Sequence, residues 1–329
     1  MKRITKIILT FSVIIGLVGC KNSNKKMNGS SLNKNDAGVT SSENIIAYYS
    51  PSDKSIYTLT DFKSKRKLIT VEDGNNTWPI YSPDGNKIAF TGKVNGVIGT
   101  YTMDSETGQN LKMIFRQNGK ENDAVSDWHS DGSLIYTDKN RADNAEVYTV
   151  IDSTNMRNLT NHEAWDFWPL SHSNDMISFW TSRDDVIEDN KKNDCQSLYT
   201  VNIDGTNLTK RFQIKEITNE TQANGLFPAI SPDGNTYVFM MNLDLYSINM
   251  DGSNLKNLTK SDSIGEYFPF FSDKEENRIY FCSEDTISSG LNIYSIDLEG
   301  NNKKQHTSFE GEKGVILFPK FKPTLPNKK

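Results

Sequence analysis

Residues 78–90 read WPIYSPDGNKIAF, and this stretch decides the fold. An aromatic–proline pair opens it, a Pro-Asp-Gly-Asn turn follows, and an alternating apolar run ends it. The pattern returns at Phe227–Phe239 (FPAISPDGNTYVF), with Pro228, Pro232, Asp233 and Gly234 in register. Looser copies stand at Phe268–Phe281 (FPFFSDKEENRIYF), one residue longer, and at Trp168–Phe179 (WPLSHSNDMISF), one residue shorter. Val125–Tyr136 (VSDWHSDGSLIY) keeps Asp131-Gly132 and loses the proline, and Phe318-Pro319 begins a sixth copy. Copies spaced by about 40–50 residues are the mark of propellers and solenoids.

Each copy has a second half. A strand of the Tyr-Thr/Ser-Ile/Val type is expected at Ile56–Asp61, Thr100–Asp104, Glu146–Asp152, Ser197–Asp204, Asp244–Asp251 and Asn292–Leu298. Six such strands predict six blades. Asp204-Gly205, Asp251-Gly252 and Glu299-Gly300 follow three of them and supply the positive φ of a tight hairpin turn. Short fourth strands are expected at Leu68–Thr70, Leu159-Thr160, Ile217-Thr218 and Leu258-Thr259. At the N-terminal end of this region Ile45–Tyr49 matches a second strand with no first, and Phe318–Phe321 is a first strand with no second. The ring is therefore expected to close on a blade of one C-terminal and three N-terminal strands, which hides edges that would otherwise pair with other chains.

The repeat resembles the TolB-type (WD-type) propeller repeat, an aromatic/Pro start followed by Ser-Pro-Asp-Gly and an Ile-x-Phe strand. The likeness is strongest at Trp78 and Phe227 and covers about residues 44–323. It implies an all-β, six-bladed propeller outside the cytoplasm that binds partners across the mouth of its channel. Many functions share the repeat, so the fold does not name the partner.

The N-terminus reads as an address. Lys2, Arg3 and Lys6 precede an apolar run, Ile7–Val18, which ends in Leu17-Val18-Gly19-Cys20. This is the pattern of a secretory signal, and its end resembles the bacterial lipoprotein signal, which implies cleavage after Gly19 and a lipid on Cys20. Residues 1–19 are then signal, 20–43 a polar tether too poor in apolar residues to bury a core, 44–324 the propeller and 325–329 a tail. The expected location is the extracytoplasmic face of a cell membrane, with the lipid of Cys20 as the membrane contact. Removing residues 1–19 takes the formal net charge from −5 to −8. With no Lys/Arg run in the body of the kind that neutralises phosphates, nucleic acid is not expected as a partner. Of the other cysteines, Cys195 and Cys282 fall on different blades and are expected as free thiols.

Turns after first and third strands should lie on one face of the propeller, and the longer loops after second and fourth strands on the other. Loops on a rigid scaffold are where binding residues collect. His162–Trp168 (HEAWDFW) places Trp165 and Phe167 beside Glu163 and Asp166, a set that suits a peptide or a sugar face; packing against the neighbouring loop is the competing reading. Arg183–Asp194 (RDDVIEDNKKND) is an insertion carrying Arg183 and Asp184, a contact arm or a solvated loop without the residue order of a dedicated calcium loop. Glu266, Tyr267 and Asp123 should face the same mouth. No Gly-x-Ser-x-Gly, Walker or His-Glu-x-x-His motif occurs, so no catalytic residue, metal site or cofactor is expected. His129 and His172 share the repeat position of Ser82 and Ser231, where a turn-stabilising role is expected over a metal pair. The favoured function is a monomeric, non-catalytic binding propeller for a protein, peptide or glycan. A polysaccharide-acting lyase or hydrolase at the same mouth, and a structural spacer, are the alternatives.

Overall fold

Asp-Gly turns fold the repeat into hairpins. Gly85, Gly132, Gly205, Gly234, Gly252 and Gly300 all have positive φ, between 66° and 90°. Each donates its N–H to the carbonyl three residues back, as Gly85 does to Ser82 and Gly252 to Asn249 (2.8 and 2.9 Å). In five of these turns the aspartate before the glycine caps the turn, as Asp204 and Asp251 accept the N–H of Thr206 and Ser253, each at 2.9 Å; in the sixth Asp297 takes that part, accepting the N–H of Asn301. The computed structural model describes residues 44–72, 77–116, 124–138, 144–172, 174–184, 197–218, 225–261, 264–275, 277–284, 291–308 and 316–324. The expected signal, Cys20, the expected tether and tail, Asp123, Cys195 and most of the Arg183–Asp194 insertion lie outside the described residues.

Six four-stranded antiparallel sheets result. The chain opens with β1 (Ile45–Ser50), β2 (Ser55–Thr60) and β3 (Ser64–Thr70). Blade 2 is β4 (Ile80–Tyr81), β5 (Lys87–Val94), β6 (Val97–Asp104) and β7 (Lys112–Arg116). Blade 3 is β8 (Ala124–Trp128), β9 (Leu134–Asp138), β10 (Glu146–Asp152) and β11 (Asn155–Asn158). Blade 4 is β12 (Asp166–Ser171), β13 (Met176–Thr181), β14 (Ser197–Asn202) and β15 (Thr209–Gln213), followed by the one-turn helix α1 (Ile214–Thr218). Blade 5 is β16 (Leu226–Ile230), β17 (Thr236–Met241), β18 (Asp244–Asn249) and β19 (Lys256–Asn257). Blade 6 is β20 (Glu266–Phe271), β21 (Arg278–Glu284), β22 (Leu291–Asp297) and β23 (Lys304–Gln305). The last strand, β24 (Leu317–Phe321), pairs antiparallel with β1 and makes blade 1, as the sequence anticipates.

Three expected fourth strands are corrected: Leu159-Thr160 and Leu258-Thr259 lie just past β11 and β19, which end at Asn158 and Asn257, and the third differs more. Ile217-Thr218 belongs to α1, not to a fourth strand. In blade 4 the outer strand forms directly after the Asp204-Gly205 turn, at Thr209–Gln213. The residues beyond turn back on themselves, with Ile214 buried and the Thr218 hydroxyl bonded to the Ile214 carbonyl at 2.9 Å.

Packing repeats as faithfully as the turns. A ring pair spans strands two and three of every blade: Tyr48–Tyr57, Phe90–Tyr101, Tyr136–Tyr148, Phe179–Tyr199, Phe239–Tyr246 and Phe281–Tyr294. Each pair sits in direct cross-strand register, where side chains contribute most to a sheet. The buried cores lie between blades, and all six interfaces have one. The last joins blade 6 to blade 1, with Phe270, Tyr280 and Ile293 against Ile46, Tyr48 and Leu59. Cys282 is buried in that same core as a free thiol, and burial pushes its ionisation far up.

Candidate functional site

The first strand of five blades is not straight. In β12, β16 and β20 the register with the second strand slips at the aromatic–proline pair, between Phe167 and Leu170, Leu226 and Ala229, and Tyr267 and Phe270. At each slip the aromatic residue has positive φ: 53° at Trp168, 51° at Phe227, 52° at Phe268, and likewise 53° at Phe318. Bulky residues rarely adopt this conformation, and a bulge re-aims the side chain it carries. Here the rings turn into the channel.

They meet there as a closed collar. Trp78 stacks on Trp168 with centroids 4.8 Å apart and planes 7° from parallel. Trp168 meets Phe227 at 5.0 Å, Phe227 meets Phe268 at 4.5 Å, Phe268 meets Phe318 at 4.5 Å, and Phe318 returns to Trp78 at 4.6 Å. Five rings thus close a channel of six blades. The missing one belongs to blade 3, where Val125-Ser126 replaces the aromatic–proline pair, and the two large indoles of blades 2 and 4 reach each other across the gap. The collar surrounds a cleft of about 50 Å³ bordered also by Ser126 and Lys320. That volume admits a few water-sized groups or the end of one apolar side chain. The indole N–H of Trp78 is buried and has no acceptor among the described residues.

Two residues after the aromatic, the repeat turns polar on two blades. Asp127 and Lys320 occupy the repeat position that holds Ile80 in blade 2 and Leu170 in blade 4. Asp127 is part-buried. Burial pushes its carboxyl above the usual range, against the pull of Lys320 and of the N–H groups of Ser171 (2.8 Å) and Trp128 (2.9 Å). The aligned copies carry this signal, and reading the repeat only for its fold passed over it.

Of the residues expected at the long-loop face, Asp166 and Glu266 are buried. Asp166 is fully buried and forms a two-point contact with Arg183, 2.8 Å from Nη2 and 3.3 Å from Nε; Arg183 also donates to the Thr160 carbonyl. Burial pushes the Asp166 carboxyl upward while Arg183 pulls it down. Glu266 stands at the equivalent position in blade 6, also buried, bonded by the hydroxyls of Ser261 (2.8 Å) and Thr259 (3.2 Å) and 3.6 Å from Lys303. Both cations lie near the aromatic pair of their blade, Arg183 near Phe179 and Tyr199, Lys303 near Phe281 and Tyr294. These acids therefore tie blades together, because each sits at a strand start where the loop covers it. Asp184 accepts from the Tyr199 hydroxyl and pairs with Lys210 at 3.4 Å. Trp165 and Phe167 contact each other at 5.2 Å and pack, half-buried, against the core between blades 4 and 5. Tyr267 is half-buried, folded over Gly265, where a Cβ would strike its hydroxyl; burial pushes its ionisation up to about 12. Glu163 is exposed. Of the expected set, then, the structure buries Asp166 and Glu266 and engages Arg183 internally, and the aromatic feature of the mouth is the collar.

The histidines also differ from expectation. Ser82 and Ser231 do stabilise their turns, receiving the N–H of Lys87 (2.9 Å) and Thr236 (3.0 Å). His129 and His172, at the same repeat position, are longer and reach the next blade instead. His129 bonds Ser171 (2.7 Å) and approaches Asp175 (3.3 Å), and His172 bonds Tyr237 (2.9 Å) as well as Ser178. Among the described residues no three His, Cys, Asp or Glu come together as metal ligands.

Comparison with known proteins places the fold. No protein-family model matches the chain. An uncharacterised protein of Agrobacterium fabrum is 25% identical over 214 residues, 63% of this chain and 69% of that protein. TolB from Acinetobacter baumannii superposes with a TM-score of 0.62 at 15% identity, over 87% of this chain and 68% of that one. A chain of a nidogen–laminin complex gives 0.61 at 11% identity, over 85% and 98%. The chain is thus a TolB-like six-bladed β-propeller in fold.

Proposed function

We propose that this protein is a lipid-anchored extracytoplasmic propeller that binds a segment of another protein at the aromatic collar, without catalysis. The collar carries the reading. Four of its rings are held in a backbone conformation that costs on the order of 1–3 kcal/mol each and that clusters at functional positions. Trp78, Trp168, Phe227 and Phe318 keep part of their surface open. The cleft suits an apolar side chain, and a peptide carbonyl would satisfy the Trp78 N–H; a buried sugar ring would need more room and more polar partners. The sequence Leu17–Cys20 supports the anchor, and no helix among the described residues is long and apolar enough to cross a membrane. Glu163, Trp165, Phe167, Tyr267 and Asp184 belong to the outer rim of this surface in our reading. The lyase alternative has less support, since His129, His172 and His306 each bond groups of the fold.

The test uses a displayed random-peptide library. Peptides selected on the whole protein should bind Trp168→Ala at least about tenfold more weakly, the scale of a buried aromatic anchor. Glu163→Ala should bind them nearly as before. Selected peptides that ignore both Trp168→Ala and Phe227→Ala, with folding intact, would overturn the collar as the site.

A further inference from the structure

We propose that the outer edge of blade 1 is a docking surface for an anionic lipid bilayer. The observation is a charge run at the rim. Lys63, Lys65, Arg66 and Lys67 fall within five residues, and all four are exposed, the last three on β3. The run gains meaning from the place of its strand, β3, outermost in its sheet, where residues on both faces are exposed. Lys65 lies over the Tyr57 ring at 4.3 Å, and Lys67 pairs with Asp53 at 3.3 Å. Neither Lys63 nor Arg66 has an ion-pair partner among the described residues.

Edge protection alone does not explain the run. One or two charges suffice to stop a strand edge from pairing, and the other blades carry that many. Lys112 and Arg116 are on β7, Arg157 on β11, Lys210 and Arg211 on β15, Lys256 on β19 and Lys304 on β23. Two of those are neutralised, Lys210 by Asp184 and Glu216 and Lys256 by Glu299. Blade 1, with Lys67 discounted likewise for its pair with Asp53, still presents Lys63, Lys65 and Arg66 within four residues, in a chain of net charge −5.

A bilayer fits this edge better than a nucleic acid. A flat lattice of headgroups touches a convex rim without deforming, and clusters of four to eight basic residues are the usual signature of such contact. A duplex must be tracked through several phosphates along a groove, which one strand of about 23 Å at about 3.3 Å per residue does not offer. The chain also enters the ring on this blade: the N–H of Asn44 bonds Asp61 at 2.9 Å, two residues before Lys63. The proposal stands whether or not Cys20 carries a lipid, and whatever the collar binds.

Vesicle co-sedimentation of the whole protein tests it, comparing phosphatidylcholine vesicles with the same vesicles containing phosphatidylglycerol. Each basic residue at an anionic surface adds about fivefold, so Lys65→Glu/Arg66→Glu/Lys67→Glu should weaken partitioning to the anionic vesicles about a hundredfold. Binding to phosphatidylcholine, to which the apolar N-terminal stretch contributes equally in both proteins, should not change. Raising the salt should weaken the wild type and leave the triple variant flat. Lys112→Glu/Arg116→Glu, a smaller reversal on the next edge, should weaken binding far less. Should the triple variant misfold, Arg66→Glu alone should still show about a fivefold loss. Undiminished binding of a folded triple variant to anionic vesicles overturns the proposal, and so does preferential capture of a short DNA duplex by the wild type. Collar peptides should bind the triple variant normally, so failure here leaves the collar reading standing.

Discussion

His172 and Arg183 show how single residues hold neighbouring elements together, and each makes a prediction. His172 is neutral in the fold because burial, helped by Arg211, holds its pKa down at about 4. His306, packed against Phe62 and Tyr280, is also held down at about 4, first by burial and then by Lys304 and Arg278. A depressed histidine disfavours the fold in acid. Above about pH 6.5 neither folded nor unfolded chain is protonated there, and nothing is lost. Between about pH 6.5 and 4 the unfolded chain takes a proton that the native state refuses, so stability should fall by up to about 1.4 kcal/mol per pH unit for each such group. Below that the loss levels off, and the turn aspartates, whose pKa values are lowered by their hydrogen bonds, take over as they protonate. Urea unfolding at several pH values should show a shallower slope between pH 6.5 and 4 in His172→Gln than in the wild type; an identical slope would place the titration elsewhere. Arg183→Ala leaves Asp166 buried without its cation and should cost about 3–5 kcal/mol. Arg183→Met with Asp166→Leu removes both charges and should recover most of that loss, as a pair that joins elements without being needed for net stability would.

At the scale of the element, the bulged first strand unites the wall of the channel with the candidate site, and it was only half legible. The recurrence of Trp78-Pro79, Trp168-Pro169, Phe227-Pro228, Phe268-Pro269 and Phe318-Pro319 disclosed strand order, blade count and closure, because period and turn chemistry are local properties of the chain. The direction of the rings was not local. For Trp165 the sequence left a binding face and packing both open, and it packs against the core of blades 4 and 5, while the bulge sets Trp168 on the cleft as well as against that core. Nor could Asp166 and Glu266 be known as buried ties, since their partners Arg183, Ser261 and Lys303 come from other strands and loops. The same geometry makes a prediction opposite to that of the repeat consensus. Giving blade 3 the aromatic–proline pair it lacks, Val125→Phe/Ser126→Pro, would look stabilising by analogy with five blades. The collar is already closed at 4.8 Å between Trp78 and Trp168, so a sixth ring overfills it and should cost about 1–3 kcal/mol. Adding Trp78→Ala should reopen space and return part of the loss. A midpoint raised by the blade 3 change would show that the collar has room to spare.

For the whole molecule the decisive contact is between its two ends. Residues 316–324 supply β24, bury Ile316 in the interface of blades 6 and 1, and set Phe321 against Phe270 and Tyr280. They then tie blade 1 to its neighbours: Lys322 reaches Glu106 at 3.3 Å, and the Thr324 N–H bonds Asp273. No other interface joins parts of the chain so far apart, and so distant a contact carries the largest closure entropy and rewards it last. The five remaining interfaces are each made between consecutive blades and should form without it. Ending the chain after Val315 should therefore leave most sheet structure while exposing the apolar inner edge of β1 and the core around Tyr280. Far-ultraviolet circular dichroism should change little, near-ultraviolet signals from the Tyr280 region should weaken, and the protein should bind a hydrophobic dye or aggregate through the open edge. A synthetic peptide of residues 316–329 should restore the melting temperature in a concentration-dependent way, since it would occupy the vacated strand position by mass action. A truncated protein that melts at the wild-type temperature without the peptide would mean that the ring does not depend on its seam. The order of inner wall, tight-turn face and loop face on which the collar and the basic rim were placed would then need another source of closure.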